Sequence, residues 1–327
     1  MKKKSKLLVL ALSALMLGSA SSMAQQSESP KGKPILTLFG DGGIGVADGE
    51  VNSLGFNLER AYLGYDYSFN EHWSAKAVYD MGKGDDTKLQ RLGYVKNAEL
   101  DYKNGNWTVK FGLTGTSQFN YQEKFWGYRY VAKSFQDQNK WGSSADMGVS
   151  AAYKFGSLLS ADLSVFNGEG YKKVEADNQL LYAMGLTLTP AKGFSMRLYG
   201  EMKTAKDTAS QYSASLFAGY RCEAFRLGAE YNMQLNHGFA ENRNLMGLSV
   251  YGSGRLSDKL EAFARYDYGT SEADDAWRYG QDGSMLMVGV DYHNCKLFSI
   301  SPNVRFTQDA DGTKKSVYAC VSAKVNL

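Results

Sequence analysis

Proline and cysteine are scarce in this chain, at 4 and 3 of 327 residues. No run of about 20 apolar residues is present, which excludes a protein that crosses a membrane with helices. Cys222, Cys295 and Cys320 allow at most one disulfide and match no metal-ligand spacing, so neither a disulfide scaffold nor a metal site is expected. Histidine is as rare: His72, His237 and His293 are the full set. His237 has Glu241, Asn242 and Ser249 near it in sequence, but no convergent set of nucleophile, base and orienting group. Gly42-Gly43-Ile44-Gly45 precedes no helix, as a phosphate-cradling loop must. The chain is therefore not expected to be an enzyme or to carry a cofactor.

Net charge is also small, at +3. Lys2, Lys3, Lys4 and Lys6 precede a short apolar stretch, Leu7–Leu17, and Ser22-Met23-Ala24 offers a small-x-small cleavage site before Gln25. Residues 1–24 are expected to be a cleaved signal peptide. Taking their four lysines from the 37 basic residues leaves 33 against 34 acidic ones, so no basic footprint for nucleic acid remains.

What the chain has in quantity is glycine and tyrosine, 35 and 22 residues. From about residue 35 onward, apolar side chains recur at every second position. Trp73, Ala75, Ala77, Tyr79 and Met81 alternate with Ser74, Lys76, Val78 and Asp80; Phe225, Leu227, Ala229, Tyr231 and Met233 alternate with Arg226, Gly228, Glu230 and Asn232. A period of two gives each strand one apolar and one polar face. The pattern predicts sixteen strands, near 35–46, 53–69, 72–82, 90–103, 106–118, 142–155, 158–168, 178–189, 193–204, 210–222, 224–236, 244–254, 259–270, 283–293, 296–307 and 315–327. Short connections such as Asn70-Glu71, Asn104-Gly105 and Gly156-Ser157 alternate with long polar ones such as 82–89, 167–177 and 271–282. Outward aromatics, among them Tyr67, Phe69, Trp73, Trp107, Tyr153, Phe155 and Phe225, gather near the short connections. A soluble sandwich would have to bury the mid-strand charges Arg60, Lys110, Asp146 and Arg265 unpaired, at several kcal/mol each. The reading is all-β: a transmembrane antiparallel β-barrel of about 16 strands, with short periplasmic turns and long extracellular loops. Residues 25–34 form a short flexible segment and 35–327 the barrel, in the outer membrane of a Gram-negative bacterium and in contact with its lipid.

Two sets of residues are candidates for function. The polar strand faces would line the lumen with ten cations, Arg60, Lys76, Lys110, Lys154, Arg197, Arg221, Arg226, Arg265, Arg305 and Lys324. Eleven carboxylates oppose them: Asp66, Asp80, Glu99, Asp101, Asp146, Asp162, Glu201, Glu230, Glu261, Asp267 and Asp291. A wall so balanced predicts weak ion selectivity. The long segment 119–141 carries Phe119, Tyr121, Phe125, Trp126, Tyr128, Tyr130, Phe135 and Trp141 among Glu123, Lys124, Arg129, Lys133, Asp137 and Lys140. So much apolar surface must pack against something: the lumen wall, as a pore constriction, or a neighbouring subunit or the outer rim. In the lumen, its four cations and two carboxylates would favour small anions mildly. The expected function is passive diffusion of small hydrophilic or anionic solutes through a water-filled barrel narrowed by this third extracellular loop. The alternative is a non-conducting outer-membrane barrel with a structural, adhesion or assembly role.

Several segments resemble one porin family. Glu59-Arg60-Ala61-Tyr62-Leu63-Gly64, followed by Trp73 to Met81, resembles the second hairpin of phosphate-selective porin O and P-type proteins, Bacteroidetes members above all. Val109-Lys110-Phe111-Gly112, Gly127-Tyr128-Arg129-Tyr130 and Asp146-Met147-Gly148-Val149 are similar to that family's third loop and its flanking strands, and Val165 to Tyr171 to its next hairpin tip. The resemblance spans about 55–190 and implies a sixteen-stranded porin, commonly a homotrimer. The chain departs from the family in ending on Leu327 rather than an aromatic residue, and in lacking a lysine ladder on its polar faces, which argues against phosphate selectivity.

Overall fold

The computed structural model describes residues 31–82, 92–295 and 297–327. The predicted signal peptide and most of the predicted loop at 82–89 lie outside the described residues. The first eight strands are β1 (Lys31–Ala47), β2 (Glu50–Ser68), β3 (Trp73–Gly82), β4 (Leu92–Asn104), β5 (Trp107–Gly115), β6 (Ala145–Lys154), β7 (Leu159–Phe166) and β8 (Leu181–Ala191). The rest are β9 (Phe194–Lys203), β10 (Gln211–Arg221), β11 (Phe225–Leu235), β12 (Asn244–Ser257), β13 (Leu260–Glu272), β14 (Gly283–Cys295), β15 (Phe298–Asp309) and β16 (Lys315–Asn326). Each pairs antiparallel with its neighbours in sequence, and β1 closes on β16 from Thr37 opposite Asn326 to Ala47 opposite Ser316. Closure leaves no free edge around the ring, so the backbone groups of every strand are paired within the barrel. The fold is a sixteen-stranded transmembrane barrel.

Two expectations need correction at the N-terminal end. The first strand begins at Lys31, not at 35, so the last four residues of the expected flexible segment are paired, Lys31 opposite Ser68 and Pro34 opposite Tyr65. The gap expected after it shrinks to a tight turn at Asp48-Gly49, with Ala47 opposite Glu50. Both turn residues have positive φ, 51° and 87°, the twist that joins two antiparallel strands directly. The other strands fall within a few residues of their predicted places.

The outer face is apolar, as the alternation requires: Leu63, Leu163, Leu216, Leu248 and Leu286 are exposed. Around the short-turn rim the outward aromatics touch in pairs, Tyr67 with Phe69, Trp73 with Tyr102, Trp107 with Tyr153, and Tyr220 with Phe225, at centroid distances of 4.7 to 5.8 Å. Such a girdle is where amphipathic rings meet the membrane interface. The inner face is less uniform than a polar wall. On β10 and β12–β14 it carries Phe217, Leu245, Tyr251, Phe263 and Met287, all buried.

Candidate functional site

The site is assembled by the segment between β5 and β6, residues 116–144. It holds two short helices, α1 (Asn120–Trp126) and α2 (Phe135–Gln138). In α1 the buried residues are Gln122, Phe125 and Trp126, at i, i+3 and i+4, so one helical stripe faces the wall. Lys124 points away and is exposed. Gly127, in the left-handed region at φ 79°, ends α1, and its N–H donates to the Glu123 carbonyl at 3.0 Å.

The segment lies inside the barrel, against the inward faces of β9 to β15. Arg197 on β9 donates to the Ser117 carbonyl at 3.2 Å, Arg221 on β10 to Phe125 O at 3.1 Å, and Gln234 on β11 to Trp141 O at 2.8 Å. Arg265 on β13 donates to Lys133 O at 2.5 Å and Arg305 on β15 to Val131 O at 2.7 Å. In the other direction, Gln136 donates to Asn232 on β11 at 2.5 Å, Tyr128 to Glu261 on β13, and Tyr130 to Asp291 on β14. Five of the segment's carbonyls that its own helices and turns leave free are thus taken by wall arginines and a glutamine.

Between these polar pins sits a dry aromatic core. Trp126, 1% exposed, packs edge-on against Tyr251 at 5.2 Å and Phe263 at 5.8 Å, and Phe125 against Phe217 at 4.9 Å. Glycines on the inward strand faces make the sockets. A Cβ on Gly219 would meet the ring of Phe125, and one on Gly247 the ring of Phe135. These sockets and the inward Phe217, Tyr251 and Phe263 are the loop-docking positions that the sequence reading missed. The signal was available: β10 to β13 carry glycines and aromatics at lumen parity opposite a loop rich in unpaired aromatics.

The expected charges are brought together only in part. Glu123 pairs with Arg129 at 3.0 Å, and Asp137 takes Arg129 at 3.6 Å and Lys133 at 3.2 Å. Burial pushes the Glu123 carboxyl above its usual range against the pull of Arg129, and burial likewise lowers the Lys133 ammonium. Lys124 and Lys140 are the exposed cations left over, and they stand apart. Lys124 lines a cavity of about 520 Å³ bounded by β3 to β7, whereas Lys140 lines one of about 260 Å³ with Asp146, Glu201 and Lys203.

On the strands, Arg60 pairs with Asp80 at 3.0 Å, Lys76 with Glu99 at 2.5 Å, Lys110 with Asp101 at 2.8 Å, and Arg197 with Asp162 at 2.8 Å. Arg226, Glu230 and Arg265 lie beneath the segment: Arg226 faces the Tyr128 ring at 4.9 Å, and Arg265 binds Asp267 through two nitrogens at 2.8 and 2.7 Å. Glu230, 2% exposed, accepts from Asn232 at 3.2 Å. Asp146 accepts backbone N–H bonds from Met147 and Gly168, and Glu201 accepts from Tyr199 at 2.6 Å. Lys154 is exposed near the short-turn rim, away from the others. The barrel interior therefore has two sides: one on β9 to β15 that the segment fills, where aromatic rings pack among charges held by the segment or by one another, and one on β2 to β7 that the segment leaves open to a cavity.

Solved structures with this architecture are outer-membrane proteins. The anion-selective porin from Comamonas acidovorans superposes with a TM-score of 0.68 at 10% identity, over 91% of this chain and 100% of that one. Salmonella typhi OmpF, in complex with daunomycin, gives 0.67 at 11% identity over 88% and 96%. OmpT of Vibrio cholerae gives 0.64 at 14% identity over 93% and 99%. At such identities the likeness is one of fold. No family model matches the chain, and neither does any curated protein. The fold is that of an outer-membrane porin, while the resemblance to the O and P type goes no further than this.

Proposed function

We propose that the chain is an outer-membrane porin, exported by residues 1–24, that passes small hydrophilic or anionic solutes through a lumen narrowed by residues 116–144. The observation that carries this reading is the division of the interior: the loop fills the side on β9 to β15 and leaves the side on β2 to β7, with its 520 Å³ cavity, open beside it. A loop folded inward over charged walls focuses the field where the path is narrowest. Lys124 is the loop cation left there without an ion-paired carboxylate among the described residues, so a mild anion preference follows, weakening as salt screens it. A trimeric assembly fits the reading, since a structure of Vibrio cholerae OmpT is described as a trimer form.

One observation favours a second reading. The aromatic core around Trp126 and the polar pins to the wall resemble a plug, which a non-conducting barrel with a structural, adhesion or assembly role would have. Planar bilayer recordings of the purified barrel separate the two. The porin reading expects steps of conductance with a reversal potential on the anion side under a salt gradient. It also expects higher conductance and a potential nearer zero after deletion of 122–138. A silent barrel that starts to conduct only after the deletion supports the plug.

A further inference from the structure

The 520 Å³ cavity has a chemistry more particular than a charged wall, although its place in a transport path rests on the porin reading. Most of its cations are neutralised. Glu99 takes Lys76 and Lys110, at 2.5 and 3.2 Å, and Asp162 takes Arg197. Two lysines on different elements are not ion-paired among the described residues: Lys96 on β4 and Lys124 on α1. Lys96 is nevertheless held. Its ammonium donates to the Tyr62 hydroxyl at 3.2 Å and lies 4.7 Å from the centre of the Tyr62 ring and 5.7 Å from that of Tyr171. Neutral aromatic partners fix a cation in place without cancelling its charge. The cavity thus presents one positioned and one exposed positive charge that form no direct ion pair among the described residues, the Glu123 carboxylate beside them being held by Arg129.

Around these lysines the lining sets neutral donors and acceptors, the amides of Asn97 and Asn120 and the hydroxyls of Thr108, Ser150 and Ser164, among the ion-paired carboxylates Glu99, Glu123 and Asp162. The hydroxyl of Ser117, also in the lining, is buried with no hydrogen-bond partner. A halide or a bare phosphate ion uses the donors of such an array but leaves its amide and carboxylate acceptors unmet, whereas a ring bearing several hydroxyls can donate and accept along it. The charge type agrees. Phosphate is gripped best by a free guanidinium fork, but Arg197 has its terminal nitrogens on Asp162, Thr187 and the Ser117 carbonyl. Lysine ammoniums, as point charges, donate to a carboxylate as readily as to a phosphate, so the hydroxyl-matching wall decides between them. The volume lies within the few hundred to about 1,000 Å³ of small-molecule sites.

We infer that this cavity is a saturable binding site for sugar acids, hydroxylated rings carrying a carboxylate, with Lys96 and Lys124 as its anion-binding residues. The test titrates the detergent-purified full barrel with D-glucuronate, D-glucose and inorganic phosphate by calorimetry, and records glucuronate block of single channels in parallel. Glucuronate should bind saturably, with glucose and phosphate at least about tenfold weaker. Lys96→Ala and Lys124→Ala should each weaken glucuronate about tenfold, the scale of one lost charge-assisted hydrogen bond. Lys192→Ala, in a turn outside the cavity, should change nothing. Lys124 is exposed and makes no ion pair among the described residues, so its variant tests the site without disturbing packing, and gel mobility before and after heating verifies the folded barrel for each variant. Glucuronate binding no tighter than glucose or phosphate, or indifferent to both lysines, overturns the site. A barrel that conducts without saturable glucuronate binding overturns the site and leaves the porin reading standing. A barrel that binds glucuronate but passes no current overturns the porin reading alone.

Discussion

Trp126→Ala is the substitution that asks most directly what holds the inner loop in place. The indole is 1% exposed, stacks edge-on with Tyr128, Tyr251 and Phe263, lies 5.3 Å from the Arg265 guanidinium, and donates to the Ala132 carbonyl at 3.0 Å. Truncating a fully buried tryptophan costs about 3–5 kcal/mol. The lower figure suits this site, because the loop can settle and water can enter from the open side. A loss of ~3 kcal/mol falls on docking rather than on the barrel, whose strand ladders the indole does not touch, and it lowers the docked-to-undocked ratio by about two powers of ten. Trypsin in detergent should then cut at Arg129 and Lys133, both half-buried in the native chain, while the barrel stays intact. Single-channel recordings should show larger and noisier steps. Gly247→Val tests the same docking from the wall, by filling the socket of the Phe135 ring. Unchanged protease resistance together with unchanged current in Trp126→Ala would refute the idea that the aromatic core anchors the loop.

Two further predictions concern the barrel itself. Leu163→Arg, on the outward face, should lower refolding stability in lipid by ~2–4 kcal/mol, whereas Ser150→Arg, inside the cavity, should cost much less; equal losses in a urea titration would mean the inward and outward faces are exchanged. Epitope tags inserted at 172–176 or 272–276 should be reachable by antibody on intact cells and tags at 156 or 191 should not, and the opposite labelling would reverse the orientation of the barrel.

Much of the fold is legible along the chain because a strand repeats every two residues. Leu163 and Leu216 announce their outward side, and Asp162 and Ser215 the inward one, without knowledge of any partner. The strand count follows from the same arithmetic, and so does closure, since an exposed edge of sixteen strands cannot be left in lipid. The start of β1 is harder to read, because Lys31-Gly32-Lys33-Pro34 has no apolar alternation; it is a strand through its pairing with Tyr65 and Asp66 on β2. The Asp48-Gly49 turn is obscured in the same way by polar flanks that look like a loop.

The site divides along the same line. Composition alone determined that 119–141 must bury its aromatics, because eight large rings cannot be left in water without a large loss of free energy. It also determined which charges the loop carries. Only the tertiary structure decided where the rings go, since Phe217, Tyr251, Phe263 and the glycine sockets lie on different strands and become one surface when the barrel curves them together. That choice of side has an electrostatic consequence. With the loop seated on β9 to β15, Arg129, Lys133, Glu123 and Asp137 compensate one another, and Lys124 is left with Lys96 on the open side. A sequence lists charges at fixed spacing, but whether a charge is cancelled depends on distances of a few ångströms between residues far apart in the chain, and those the packing alone sets.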